Sequence, residues 1–346
     1  MSSDKSHPRP GALPAAAGSR SDGEGNTPPN PVSTLSRADY LRGALWGLGA
    51  ISIWVSWILY TRVGVTSATS KMSPHDLVAL RFACAGLVML PIVLRKGLAI
   101  ARLGLANWLL IVCCAGVPYV LLASSGLQFA PAAQAGALIP GTLPLWAALL
   151  AMIFLREHIS GLRRVGLALI PVGLVIILGA GLFHFETGHW RGHLLFIGAS
   201  LTWAIFTVAM RHAGRSGLEA IHAAAIVSVV SMVVYLPVYL LFLPHQLAAT
   251  PWSAIIGQTL FQGIVVSIVS LVAFTRAVNL LGASLAASFA SLVPVLAMLA
   301  AIPLLGEVPG MSDVAGIAVI TVGVFLASGA YAAFGPGRRR DLSATK

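Results

Sequence analysis

Charge is what this sequence has least of: only 10% of its 346 residues are Asp, Glu, Lys or Arg. A soluble domain carries roughly a quarter charged residues, and one core cannot hide a chain that is 57% hydrophobic. Acid is scarcer still, with 11 Asp and Glu against 22 Lys and Arg. Asp76, Glu157 and Glu307 fall at the ends of apolar runs, so no carboxylate lies near a membrane midplane. Cysteine is rare too: Cys84, Cys113 and Cys114 sit inside apolar runs, without metal-ligand spacing and without the pattern of a disulfide framework.

Catalytic signatures are also missing. There is no HExxH and no P-loop, which argues against a zinc protease and against direct drive by ATP. Two Asp at membrane depth, as an aspartyl protease needs, are absent, and the one His well inside a span, His222, has no orienting acid. A membrane-embedded enzyme or an assembly factor is the competing class. No cofactor is expected. The net charge of +11 does not point to nucleic acid, because the basic residues stand singly or in small groups between apolar runs.

What is present is a succession of runs long enough to cross a bilayer, each needing about 20 apolar residues. Ten spans are read at 43–63, 75–94, 104–125, 132–155, 165–183, 194–210, 220–242, 254–274, 283–305 and 315–334. The expected fold is an all-α membrane protein. Residues 1–38, rich in Pro, Ser, Gly and Ala, form a tail expected to be disordered. The tail and the even-numbered loops hold most of the basic residues (Arg95, Lys96, Arg163 and Arg164 among them). The odd-numbered loops hold only Arg62, Lys71 and Arg191. Positive residues stay inside, so both termini are expected in the cytoplasm of a cell with the chain in its inner membrane.

The chain repeats itself. PLWAALLAMIFLRE (144–157) lies over PVLAMLAAIPLLGE (294–307) at an offset of 150, which also carries Gly166 onto Gly316 and Gly173 onto Gly323. Fifteen of 48 positions from 133 to 180 are identical. At an offset of 149, Arg42, Gly43, Trp54 and Arg62 meet Arg191, Gly192, Trp203 and Arg211. The units are expected at 39–183 and 194–334, joined by a linker at 184–193 and followed by a basic tail at 335–346. Five spans per unit means that the second copy enters the membrane inverted. Inverted repeats build many secondary transporters, whose halves rock about a central site.

The sequence resembles the drug/metabolite transporter superfamily, in particular its EamA-type members. The resemblance rests on the Trp of each unit's first helix (GAISIWVSWILYTR and GASLTWAIFTVAMR) and on Arg81-Phe82. It rests further on SGLQFAPAAQAGAL at 125–138 and on Pro followed thirteen residues later by Glu in each fourth helix. It covers about 42 to 334, and it implies ten helices, a central cavity and export of small metabolites or drugs. An amino acid or related compound is the favoured substrate, with a cationic drug as the alternative. The second unit places Val227 where the first has Arg81.

Candidate site residues follow from cost and chemistry. Arg81 is the basic residue well inside a span, where charge is expensive and faces the bundle interior or a cavity. It is either a counter-ion for a substrate carboxylate or a structural group; Asp76, five residues away, points about 140° elsewhere on a helix. Trp54, Tyr119, Gln134, Trp203, Gln262, Asn279 and Ser291 are candidate cavity lining, with packing as the alternative for each. Asp76 and His222 are the candidates if protons are coupled. Pro140, Pro144 and Pro294 are expected to break the fourth and ninth spans at matching places. His184, Glu186, His189 and His193 gather in the linker, where solvation is preferred over metal. The expected partners are a small-molecule substrate and the lipid bilayer, with proton coupling open and a monomer or homodimer equally consistent.

Overall fold

The computed structural model describes residues 37–68, 72–155, 159, 161–182, 188–329 and 331. Residues 1–36, Lys71, Arg156, Glu157, His184, Glu186 and the basic tail lie outside the described residues. In hydrocarbon every backbone polar group needs an internal partner, so apolar runs of this length fold as helices. Nine helical segments among the described residues are long and apolar enough to cross a membrane, and a tenth, Met311–Ala327, is shorter and equally apolar.

The first span is α1 (Arg37–Thr66) and the second α2 (Pro74–Lys96). Local chemistry fixes the ends of α2. Ser73 caps it in a reciprocal capping box with Asp76, Pro74 starts it, and Arg95 and Lys96 sit in its last turn before Gly97 at φ 73. After a single turn, α3 (Ile100–Leu103), the third span runs as two helices, α4 (Leu105–Ala115) and α5 (Val117–Phe129). One continuous helix is predicted there; the break falls at Gly116, and Pro118 lies in the first turn of α5. A Cβ at Gly116 would stand 2.4 Å from the Val112 carbonyl oxygen, so only glycine fits the corner.

The fourth and fifth spans are α6 (Ala132–Leu155) and α7 (Gly161–Leu182). The sixth and seventh are α8 (His189–Arg215) and α9 (Ala220–Phe242). The eighth joins α10 (Trp252–Leu260) to α11 (Ser270–Leu281) through a π-helical stretch, Phe261–Val269. The ninth is α12 (Ala283–Ala290) and α13 (Val293–Leu305), and the tenth is α14 (Met311–Ala327). Two differences from the sequence reading stand out. α8 begins within the predicted linker, so His189 and His193 are helical. The fourth span, despite Pro140 and Pro144, is one helix, while the ninth breaks at Ser291-Leu292 with Pro294 in the first turn of α13. A proline in a helix's first turn forfeits no bond that the turn would have made.

Packing obeys the inversion. α1 lies on α11 and α8 on α5; α2 pairs with α9, α7 with α14, and α6 with α13. Exchanging each span of one half with its counterpart in the other maps this set of pairs onto itself. Glycines show the same relation at atomic scale. A Cβ on Gly166 would stand 2.7 Å from Gly323 O, and one on Gly173 would stand 2.8 Å from Gly316 O. The 150-residue offset turns the first of these contacts into the second. Lipid does not drive helices together by apolar burial, so small residues that let backbones approach supply the packing. The outward faces stay apolar, with Leu94, Leu241 and Phe242 all exposed.

The end of the bundle that holds Arg62, Pro74, Phe129, His189 and Met311 is called the outer end here, after the charge-based expectation. At the other end, Lys96 Nζ donates to Glu219 at 2.7 Å and holds that carboxyl below its ordinary range. Arg163 Nε donates there to the Ala327 carbonyl at 3.2 Å.

Candidate functional site

An aromatic row crosses the interior between the two halves. Trp57 of α1 stacks on Tyr119 of α5, with ring centroids 5.9 Å apart and planes at 25°. Tyr119 meets Trp203 of α8 at 4.7 Å, and Trp203 meets Phe206 at 5.0 Å. Beside the row lies Arg81 of α2, its guanidinium carbon 5.8 Å from the Trp57 ring centroid, within range of a cation–π contact. Arg81 Nε and Nη1 and Trp57 Nε1 are shielded from solvent and have no hydrogen-bond partner among the described residues. A buried donor left unpaired costs about 1–3 kcal/mol, and more when it is charged. Three such donors around one aromatic surface suit an acceptor with two oxygens, and a guanidinium offers that group a planar fork.

Depth follows from helix geometry. Arg81 lies seven residues inside Pro74, so it sits about 10 Å below the outer end at 1.5 Å per residue.

The remaining sequence candidates occupy other places. Trp54 does not join the row; its ring packs on Phe274 of α11 at 5.0 Å. Trp54 and Trp203 thus occupy equivalent helix pairs, α1 with α11 and α8 with α5. Gln262, in the π stretch, is buried and donates through Nε2 to Thr61 Oγ1 at 3.0 Å and to Gln258 Oε1 at 3.2 Å. Its Oε1 is buried without a partner among the described residues. Ser291 is buried at the break of the ninth span and donates to Ser288 O at 2.7 Å. Asn279 lines a cleft of about 220 Å³ at the inner end, between α9 and α11. A wider cleft of about 500 Å³ opens between α1, the eighth span and α13, lined by Ser56, Tyr60, Phe261 and Leu304.

Both coupling candidates carry hydrogen bonds between elements. Asp76 accepts from Ser73 N and Oγ, from the Tyr239 hydroxyl and from Gln246 N, which ties the outer ends of α2 and α9. His222 Nε2 lies 2.9 Å from the Gly97 carbonyl, joining α9 to the end of α2.

Gln134 belongs to the outer end, in a cluster that sequence reasoning missed. Its Nε2 donates to Asp313 Oδ1 at 2.9 Å, and its Oε1 lies 2.7 Å from Nε2 of the buried His193. Next to this cluster Arg62 Nε donates to Glu307 Oε1 at 2.7 Å, and Arg62 Nη1 donates to the Leu127 carbonyl. Glu307 Oε2 also accepts from Ala132 N at 2.8 Å. Glu307, just past α13, thus ties that end of the ninth span to α1 and to the start of α6. No group of three His, Cys, Asp or Glu able to hold a metal occurs among the described residues.

The sequence matches the EamA-like transporter family twice, over residues 41–179 and 190–329. The chain belongs to that family. Among named relatives, the aromatic amino acid exporter YddG of Ancylobacter novellus is 29% identical over 181 residues, 51% of this chain and 61% of that protein. The match therefore spans less than two thirds of that relative's length. The probable terminal-alkyne amino-acid exporter of Streptantibioticus cattleyicolor is 28% identical over 228 residues, 65% of this chain and 72% of the relative. The uncharacterized transporter YyaM of Bacillus subtilis is 26% identical over 271 residues, 74% and 85% of the two chains. A solved crystal structure at 22% identity superposes with a TM-score of 0.55, covering 82% of this chain and 95% of that one, which shows a shared fold.

Proposed function

We propose that this EamA-family chain is a secondary exporter of amino acids or closely related carboxylates, working by alternating access in the inner membrane with both termini in the cytoplasm. The observation that carries the reading is the Arg81 guanidinium, buried beside Trp57, Tyr119 and Trp203 with two donor nitrogens unpartnered among the described residues. A carboxylate supplies what those donors lack, and an aromatic or large apolar side chain suits the row. The relatives named as amino-acid exporters support the same substrate class. A cationic drug is disfavoured, because the group awaiting a partner is itself a cation.

The inverted halves support rocking about this site. Asp76 is the acid proposed to carry a coupled proton, since its protonation would alter bonds from four donors, two of which tie α2 to α9 and the segment that follows it. Repeat units at 39–183 and 194–334 are part of the same reading.

The test is uptake into inverted vesicles. Arg81→Lys keeps the charge and removes the fork, so it should lower transport of aromatic amino acids about tenfold or more while the unfolding temperature in detergent stays at the wild-type value. Loss of transport together with a lowered unfolding temperature would assign Arg81 to structure.

A further inference from the structure

The orphaned donors around Arg81 have an orphaned acceptor nearby. Gln258 Nε2 donates to the Tyr60 carbonyl at 2.8 Å, and a carbonyl only accepts, so the orientation of that amide is fixed. Its Oε1 is then the atom facing Gln262, which must present its own NH₂, at 3.2 Å. Gln262 Oε1 is left pointing away from both, buried and without a partner among the described residues. The chain of amides determines which end of Gln262 remains free.

Two connections bring Gln262 into the neighbourhood of Arg81. The guanidinium lies over Trp57, and Gln262 bonds Thr61, one turn along the same face of α1. Independently, Gly263 rests on Cys84, where a Cβ would stand 2.4 Å from the cysteine Cβ. Cys84 is one turn from Arg81 on α2. The π-helical register of Phe261–Val269 sets these positions, and a π turn within a helix often marks a functional site.

We infer that Gln262 accepts a hydrogen bond from the ammonium group of the transported molecule, so that the site selects zwitterionic α-amino acids over deaminated acids of the same shape. The inference rests on the carboxylate role proposed for Arg81. A bound carboxylate satisfies Arg81 and Trp57 and screens the guanidinium from the adjacent ammonium. The ammonium then supplies the donor that Gln262 Oε1 lacks. A deaminated acid leaves that oxygen buried and unpaired, a loss of about tenfold or more in affinity.

The test is calorimetric binding to the purified full-length protein in lipid nanodiscs, with phenylalanine, 3-phenylpropionate and phenethylamine as probes. Wild type should prefer phenylalanine to 3-phenylpropionate by about tenfold or more. Gln262→Leu should weaken phenylalanine toward the affinity of 3-phenylpropionate and leave the latter unchanged or tighter. The wild-type comparison needs no variant, so misfolding of Gln262→Leu does not protect the idea. Equal wild-type affinity for the two acids, or a preference that survives in a folded Gln262→Leu, overturns the role of Gln262 and leaves that of Arg81 standing. Binding of phenethylamine alone, or of none of the three, overturns both.

Discussion

Glu307→Gln is the substitution that most directly probes how the outer end is held. The carboxylate accepts from Arg62 Nε at 2.7 Å and from Ala132 N at 2.8 Å, and these bonds join α13 to α1 and α6. A hydrogen bond to a charged partner contributes about 1.5–3 kcal/mol, about twice a neutral one. The amide keeps the length of the side chain but offers a single oxygen to two donors, so about one charged bond's worth is lost. The Arg62 and Glu307 side chains are only 17% and 20% exposed, so water replaces little of the loss. The net is about 2 kcal/mol, which is about 30-fold in the balance between a bundle shut and one open at that end. The assay is modification of Trp54→Cys, in a background lacking Cys84, Cys113 and Cys114, by a membrane-impermeant maleimide applied to the outer face. The rate should rise toward 30-fold, and Arg62→Gln should act in the same direction without adding to Glu307→Gln. An unchanged rate from the outer face, or a gain from the cytoplasmic face alone, would refute the reasoning.

Gly166→Ala places a Cβ 2.4 Å from Ala327 N and 2.7 Å from Gly323 O, both backbone atoms that cannot swing aside. It should cost about 1–3 kcal/mol, read as a lower unfolding temperature in detergent, whereas Gly179→Ala, with nothing within 4 Å, should not lower it. Gln134→Leu should lower the unfolding temperature as well, since it leaves the buried His193 and Asp313 without their shared partner, at about 1–3 kcal/mol. Asp76→Asn should abolish any acceleration of transport by a proton gradient if Asp76 carries the proton; unaltered acceleration in flux assays would remove it from that role.

The spans were legible in the sequence because hydrocarbon forces long apolar runs into helices, and the duplication because Trp, Pro, Gly and Glu recur in order. The matched glycines even marked where α7 and α14 touch. What the sequence withheld has physical causes. α1 is apolar on all sides, so its pattern does not say whether Trp54 or Trp57 faces the interior, and it is Trp57 that joins the aromatic row. Arg62 and Glu307 stand 245 residues apart, and their pairing depends on the register of two helices across the bundle. His193 looked solvated in a polar linker, but α8 begins early enough to bury it. Hydropathy does not register the π stretch, in which Gly263 rests against Cys84 of α2. The corner at Gly116 was readable in principle, since Gly-Val-Pro pairs a flexible residue with a helix starter.

The seam between α7 and α14 has a mechanical consequence. Where Gly166 faces Gly323 and Gly173 faces Gly316, backbone meets backbone, and the side chains of Ile170, Ile177 and Ile320 seat directly on the glycines. Such a seam resists being pulled apart or pushed together, and the isoleucines seated on the glycines interlock the two helices. It therefore has the properties of a clamp. Any rotation of one half against the other is smallest at these four glycines and grows with distance from them. The peripheral pair that holds no candidate ligand group is thus the part of the molecule that keeps the two halves in register.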